Sequence, residues 1–253
     1  MNIVVPMKQI PDLQQVRIRN RKPLVEDAPK VFGDIDKNAL EAAVALKEAG
    51  AADEVVVVSY ADEDVEDTVK EAMAAGADRS VLIEDDDAYD TPSTQVAAVL
   101  AEAIKGIDDA GLIIFGEGSG DNYSGQVGSR VAALLGYPQV GFAQTIEVNG
   151  DTATITRALE DTLETVEVAL PAVVVVAGGL NTPRLPSVMQ VLKAGKKPKD
   201  VMELDDLEVS VDNDASDIEI VSNLAPEVNR KNQMVSSVDE LVAALKADGI
   251  VGR

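Results

Sequence analysis

Short, unbroken runs of Val and Ile alternate with helical patterns through the first two thirds of the chain, and this alternation leaves few folds open. Ile3-Val4-Val5, Val55-Val56-Val57-Val58, Val81-Leu82-Ile83 and Leu112-Ile113-Ile114-Phe115 lack the polar alternation of a half-wet strand. Each therefore reads as a strand covered on both faces. Between them, residues 36–49, 62–75 and 92–105 carry helical patterns. The first of these puts Ala39, Leu40, Ala43, Val44 and Leu46 at helical spacing and closes at Gly50, a suitable C-cap, while Thr91 is placed to cap the third. Strands alternating with helices predict a doubly wound, mostly parallel, Rossmann-like α/β sheet.

From Phe142 the period becomes two. Thr145-Ile146-Glu147-Val148 and Thr152-Ala153-Thr154-Ile155 flank Asn149-Gly150, a strong hairpin signal, and Thr165-Val166-Glu167-Val168 continues an antiparallel section over 142–170. Val173-Val174-Val175-Val176 returns to a buried strand. After Pro186 the chain is basic, then acidic and sparsely apolar from about 201 to 232, with too little apolar surface for its own core. A last helix is expected over Val238–Ala247, opened by the capping-box pattern Ser237-Val238-Asp239-Glu240. The predicted organisation is an α/β domain over 1–200 and an extended C-terminal arm over 201–253.

The chain has 253 residues, 46% of them hydrophobic, enough for a packed core. It contains neither Cys nor His, which removes disulfides, thiolate and imidazole metal ligands, and Ser-His or Cys-His catalysis. The longest apolar stretch, Val168 to Leu180, is far short of the roughly 20 residues of a membrane span. Met1-Asn2-Ile3-Val4-Val5 reads as a strand rather than a signal sequence, so a soluble, cytoplasmic protein is expected. A net charge of −23 argues against a nucleic-acid partner. Acids spread along the whole chain fit a solvated, halophilic surface better than one large cationic partner. Against them stand two basic clusters, Arg17 to Lys22, and Lys193, Lys196, Lys197 and Lys199.

The fourth strand feeds a glycine-rich loop, Gly116-Glu117-Gly118-Ser119-Gly120-Asp121-Asn122-Tyr123-Ser124-Gly125-Gln126-Val127-Gly128, which opens a helix from Ser129 to Gly136. Strand, glycine loop and helix together bring bare N–H groups and a helix dipole onto one point, the geometry that holds a phosphate. The standard motifs are missing: there is no G-x-x-x-x-G-K-[ST], and Asp121 stands where the third glycine of a dinucleotide fingerprint belongs. A plain flexible turn and a nucleotide seat both remain open on these residues. Asp121, Asn122, Tyr123 and Ser124 tip the balance to a ligand, since a turn requires none of them.

Met7-Lys8-Gln9-Ile10-Pro11-Asp12, Gly76-Ala77-Asp78-Arg79, the loop with Gln126-Val127-Gly128, Leu135-Gly136-Tyr137-Pro138, Leu170-Pro171-Ala172-Val173 and Asn181-Thr182-Pro183-Arg184-Leu185-Pro186-Ser187 occur in an order that resembles the beta subunit of electron-transfer flavoproteins, over about residues 1–201. The form of the loop, with Leu159 to Thr165, is most similar to the Fix-type branch. The resemblance implies an adenine-nucleotide-binding fold that works as a heterodimer with an FAD-carrying alpha subunit. It implies a non-catalytic carrier taking electrons from NADH or a flavin dehydrogenase and passing them towards quinone or ferredoxin, with a quinone oxidoreductase as a further partner and a peripheral place at the membrane through it. In the beta subunit it implies FAD, favoured by the Gln126-Val127-Gly128 ending, or AMP as in simple carriers. The cofactor contacts it implies are Pro6, Asp36, Tyr60, Gly116, Glu117, Gly118, Ser119, Asp121, Asn122, Tyr123, Ser124 and Gln126. Relatives with an Asn-Pro pair before the first helix are matched here by Gly33-Asp34. The stretch 181–199 corresponds to the family's recognition loop, with Val188 as an apolar plug, Leu185 and Met189 beside it, and Lys193, Lys196 and Lys197 steering an acidic partner. The residues themselves also allow Leu185, Val188 and Leu192 to be the buried stripe of a short helix. Other nucleotide classes fit less well. An ATP-cleaving enzyme on this scaffold would want a Ser-Gly-Gly-x-Asp-Ser loop after the first strand, and an ATP-binding regulatory protein a G-x-x-G motif with Gly-Ser beyond it; neither is present.

Overall fold

The computed structural model describes residues 1–212, 221–228 and 230–252. In chain order its elements are β1 (Asn2–Pro6), β2 (Gln9–Pro11), β3 (Arg17–Arg19), β4 (Lys22–Leu24), β5 (Lys30–Phe32), α1 (Asp34–Glu48), β6 (Glu54–Ala61), α2 (Val65–Ala75), β7 (Arg79–Glu84), α3 (Ser93–Lys105) and β8 (Ala110–Gly116). They continue with α4 (Val127–Leu135), β9 (Gln139–Asn149), β10 (Thr152–Ala158), β11 (Leu163–Ala169), β12 (Ala172–Val176), α5 (Val188–Ala194), β13 (Lys199–Glu203) and α6 (Val238–Ala247). Nine strands form one sheet in the order β11-β10-β9-β12-β8-β1-β6-β7-β13. The strands from β9 to β13 in that order run parallel, and β10 and β11 extend the sheet as antiparallel neighbours of β9. The expected mostly parallel α/β fold with an antiparallel addition is what forms.

The apolar runs are buried on both faces because successive strand residues point to opposite sides. Ile3, Val5, Val55, Val57, Leu82, Leu112, Ile114 and Val174 pack with Leu40 and Val44 of α1 and Val69 and Met73 of α2. Val4, Val56, Val58, Val81, Ile83, Ile113, Phe115 and Val173 pack with Leu100 and Ile104 of α3 and Val131 of α4. From β1 the chain winds outwards through β6 and β7, then returns to the other side of β1 for β8 and β12. Crossovers therefore leave β1 and β8 in opposite directions and open a crevice at their carboxyl ends, the place where ligands bind in open α/β sheets.

Several local expectations shift. The hairpin turns on Gly150-Asp151 rather than Asn149-Gly150: Asn149 pairs with Thr152, and Gly150 takes φ 60° at the first turn position, as a type II′ turn requires. Thr91 does not cap α3; Pro92 holds the cap position, and the Thr91 hydroxyl instead bonds the Asp87 carbonyl at 3.1 Å. Gly50 follows the cap residue Ala49 at φ 84°. Lys199–Glu203 adds a parallel strand beside β7, and Met202, Leu204, Leu207, Val209 and Val211 pack against the α3 and α4 side of the core. A second compact unit is made of Ile18–Pro23 and residues 222–253. Within it Arg21 bonds the Ala225 carbonyl and Glu227, and the Ser237 hydroxyl caps α6. Of the predicted arm, residues 213–220, 229 and 253 lie outside the described residues. No helix among the described residues is long and apolar enough to cross a membrane.

Candidate functional site

The crevice at the β1/β8 switch point opens into a cleft of about 880 Å³, counted with its open mouth. That size lies within the range of roughly 300–1,000 Å³ found for small-molecule sites. Pro6, Met7 and Lys8 enter it from the end of β1, Asp36 from the first turn of α1, and Tyr60 from the end of β6. Gly116 to Ser119, Asn122 and Ser124 to Ser129 supply the glycine loop and the start of α4, and Ala88, Tyr89, Thr91, Ser93 and Val96 close the far side.

Two glycines set this geometry. A Cβ on Gly116 would stand 2.5 Å from Asp36 Oδ1 and 3.1 Å from the Asp36 nitrogen and the Ile35 carbonyl carbon, so the end of β8 touches the start of α1 with no room for a side chain. A Cβ on Gly128 would meet Val175 at 2.8 Å and Phe115 at 3.2 Å. Close helix-to-strand approach is the task of the third glycine in dinucleotide folds, and here Gly128 performs it although Asp121 fills the expected position. Gly128→Ala should therefore lift the N-terminus of α4 and lower unfolding free energy by about 1–3 kcal/mol, measured by denaturant titration. α4 starts without a side-chain cap: Gln126, at its N-cap, turns its amide oxygen to Arg130 instead, 2.7 Å from Nη2. Its first N–H groups and the positive end of its dipole are left for an anion in the cleft.

Charge is paired around the same point. Lys8 Nζ lies 2.6 Å from Asp121 Oδ2 and 5.4 Å above the Tyr89 ring. The Asp121 side chain is only 5% exposed and its Oδ1 is buried without a partner. Burial works against the Asp121 charge, but the Lys8 ammonium, the Ser119 hydroxyl and the Asn122 N–H together outweigh it and hold the carboxyl below the usual range. Asp36 behaves in the opposite way. Burial pushes its carboxyl up to about 7, against the Lys8 N–H that donates to Oδ2 at 2.8 Å and the Lys8 charge. Tyr60 is buried, with its hydroxyl donating to Asp85 and 3.2 Å from Thr91 Oγ1; desolvation first and Asp85 second raise its pKa.

Of the residues singled out in the sequence, Pro6, Asp36, Tyr60, Gly116, Glu117, Gly118, Ser119, Asn122, Ser124 and Gln126 line this one cleft. Asp121 and Tyr123 stand beside it, Asp121 on Lys8 and Tyr123 at φ 43° with its ring against Gly118. The cleft also brings in Lys8, Tyr89 and Ser93, which sequence reasoning did not place there. Lys8 had a signal, being the one cation in the Met7-Lys8-Gln9 motif after β1; Tyr89 and Ser93 had none. In the recognition stretch, Leu185 is 94% exposed, Val188 77% and Leu192 67%, so the buried-stripe alternative is not realised and Ala194 is the buried member of α5. Met189, Lys193 and Lys196 are exposed with them. Lys197 turns inward, its ammonium bonding the carbonyls of Met73, at 2.8 Å, and Ala77 at the end of α2.

Fold and cleft define a doubly wound α/β protein with an open cleft at its switch point. A model of the electron transfer flavoprotein domain matches residues 24–207. Over 256 residues the chain is 36% identical to the mitochondrial electron transfer flavoprotein subunit beta of Arabidopsis thaliana, covering 99% of this chain and all of that one. It is 34% identical to the beta subunit of Bradyrhizobium diazoefficiens, covering 97% and 98%, and 33% identical to that of Megasphaera elsdenii, covering 84% and 81%. The chain belongs to the electron transfer flavoprotein family, and its relatives are beta subunits of that carrier.

Proposed function

We propose that this chain is the beta subunit of an electron-transfer flavoprotein heterodimer and that the switch-point cleft holds an adenine nucleotide, FAD or AMP, beside an alpha subunit carrying FAD. The observation that carries this is the convergence of the uncapped α4 N-terminus and the Gly116–Asp36 contact on one cleft. The donors fit the group: the amides of Val127 to Ser129 suit a phosphate, and Asp36 and Tyr60 offer polar atoms to a ribose or base. Asn122, Ser124 and Ser119 add hydroxyl and amide groups along the loop. A bound flavin supplies the redox chemistry, while the protein orients it and sets its potential through hydrogen bonds and nearby charge. Lys8, paired with Asp121 and lying over the Tyr89 ring, is the cation that lines the cleft among the described residues.

The Gln126-Val127-Gly128 ending favours FAD, and with it electron entry from NADH and a Fix-type, bifurcating role towards quinone and ferredoxin. A simple carrier would keep AMP in the same cleft and take electrons from a flavin dehydrogenase. Coexpression with the alpha subunit, followed by flavin counting and chromatography of the released nucleotides, separates the two. Two FAD per heterodimer are expected for the first and one FAD with one AMP for the second; one FAD and no other nucleotide contradicts the proposal.

A further inference from the structure

The positive end of α4 carries a charge that the fold itself does not need there. Arg130, four residues beyond the N-cap, reaches back to Gln126: its Nη2 lies 2.7 Å and its Nε 3.2 Å from Gln126 Oε1. Long helical side chains lean towards the N-terminus of their helix, so the guanidinium comes to rest where the dipole is already positive. A cation there is unfavourable by itself and becomes favourable once an anion joins it. The chain has 45 acidic and 22 basic residues, yet among the described residues Arg130 forms no ion pair, and its side-chain bonds go to a neutral amide.

Two of its five N–H donors are spent on Gln126, and three have no partner among the described residues. Because arginine only donates, Gln126 must turn its amide oxygen to it, which leaves the Gln126 NH2 as a further donor. Gln126 and Ser129 both line the switch-point cleft, so the guanidinium stands at its rim. The cation that lines the cleft is already committed, since Lys8 Nζ is 2.6 Å from a buried Asp121 carboxylate. Floor and rim differ in burial as well. Asp36 and Tyr60 are buried, whereas Ser124, Gln126 and Arg130 are exposed. A ligand with its nucleoside on that floor and its first phosphate on the α4 amides must leave the cleft past Gln126 and Arg130. A guanidinium with free N–H groups suits the paired oxygens of a phosphate there.

We infer that Arg130 is the residue by which the cleft distinguishes an adenosine diphosphate group, as carried by FAD, from a monophosphate: the first phosphate takes the amides of Val127 to Ser129 and the second meets the Arg130 guanidinium at the rim. This rests on the reading of the cleft as an adenine-nucleotide site. The test uses the intact heterodimer with its alpha-subunit FAD in place, and labelled AMP and ADP as probes, each exchanged into the beta cleft with its Kd read by equilibrium dialysis. Wild type should bind ADP about tenfold more tightly than AMP, a preference that shrinks as salt is raised. Arg130→Gln should bring the two Kd values to within about twofold of each other while the Kd for AMP stays within about threefold of wild type. Arg130→Lys should keep part of the preference, because the charge remains and the planar fork is lost. Arg130→Ala should behave as Arg130→Gln does and replaces it if that variant does not assemble. Binding of neither probe would overturn the nucleotide reading, and the inference with it. Both probes bound, with the ADP preference absent in wild type or unchanged in Arg130→Gln, would leave that reading standing and overturn the role of Arg130. Equal losses for AMP and ADP would place Arg130 at the first phosphate and overturn the discrimination.

Discussion

Gly116→Ala is expected to empty the nucleotide cleft. Its new methyl group would stand 2.5 Å from Asp36 Oδ1 and 3.1 Å from backbone atoms of the first turn of α1. A flexible side chain could swing aside; the main chain of a helix start packed over the core has no such freedom. The end of β8 and α1 must separate, and the wall made by Asp36 and Gly116 moves with them. Overpacking of this kind costs about 1–3 kcal/mol in stability. A comparable loss of binding free energy weakens the nucleotide roughly 5- to 150-fold, enough to lower its content in the purified heterodimer. Gly118→Ala is the milder comparison. The three atoms nearest its methyl all belong to the Tyr123 ring, the closest at 2.9 Å, and Tyr123 is 53% exposed and free to shift, so the loss of nucleotide should be smaller than for Gly116→Ala. Released nucleotide per heterodimer, measured on both variants, checks the contrast.

The second large effect is one of pH. Asp36 ionises in the folded protein only at about 7, mainly because it is buried, whereas in an unfolded chain it ionises near 3.8. The folded state thus holds this proton more tightly, so stability is full below the lower value and falls as pH rises towards the upper one. About three pKa units correspond to about 4 kcal/mol. Asp36→Asn carries no such penalty, so its unfolding free energy relative to wild type should improve by that order between pH 4 and pH 8. Denaturant titrations of both heterodimers across this range measure the difference. A constant offset would show that Asp36 titrates in the folded protein as it does unfolded.

The sheet was legible because Val55 to Val58 and Leu112 to Phe115 are apolar on both faces, which few structures other than a covered parallel strand tolerate. Strand β13 was not. Lys-Asp-Val-Met-Glu has no apolar run and becomes a strand through the open edge of β7, a tertiary cause that a local pattern does not carry. The β3–β4 turn was missed for another reason: Asn20 and Arg21 take φ 51° and 66° without any glycine to announce it. The cleft divides the same way. Its loop could be found from Gly116, Gly118 and Gly128, since close backbone approach demands glycine. Lys8, just after β1, and Tyr89 and Ser93, between β7 and the start of α3, reach it from two separate parts of the chain, brought together only when the sheet closes. The recognition stretch was readable as apolar residues at helical spacing, but its anchors, Asn181 on Asn38 and Arg184 on Glu41 and Glu48 of α1, join parts of the chain that a local pattern does not connect.

The most direct test of the central proposal is a crystal structure of the heterodimer purified without added nucleotide. An adenine nucleotide in the cleft between β1 and β8, with a phosphate on the amides of Val127 to Ser129 and its remainder against Gly116, Asp36 and Tyr60, is the predicted result. A heterodimer whose only nucleotide is the FAD of the alpha subunit, with solvent alone between Gly116 and Gln126, would contradict it.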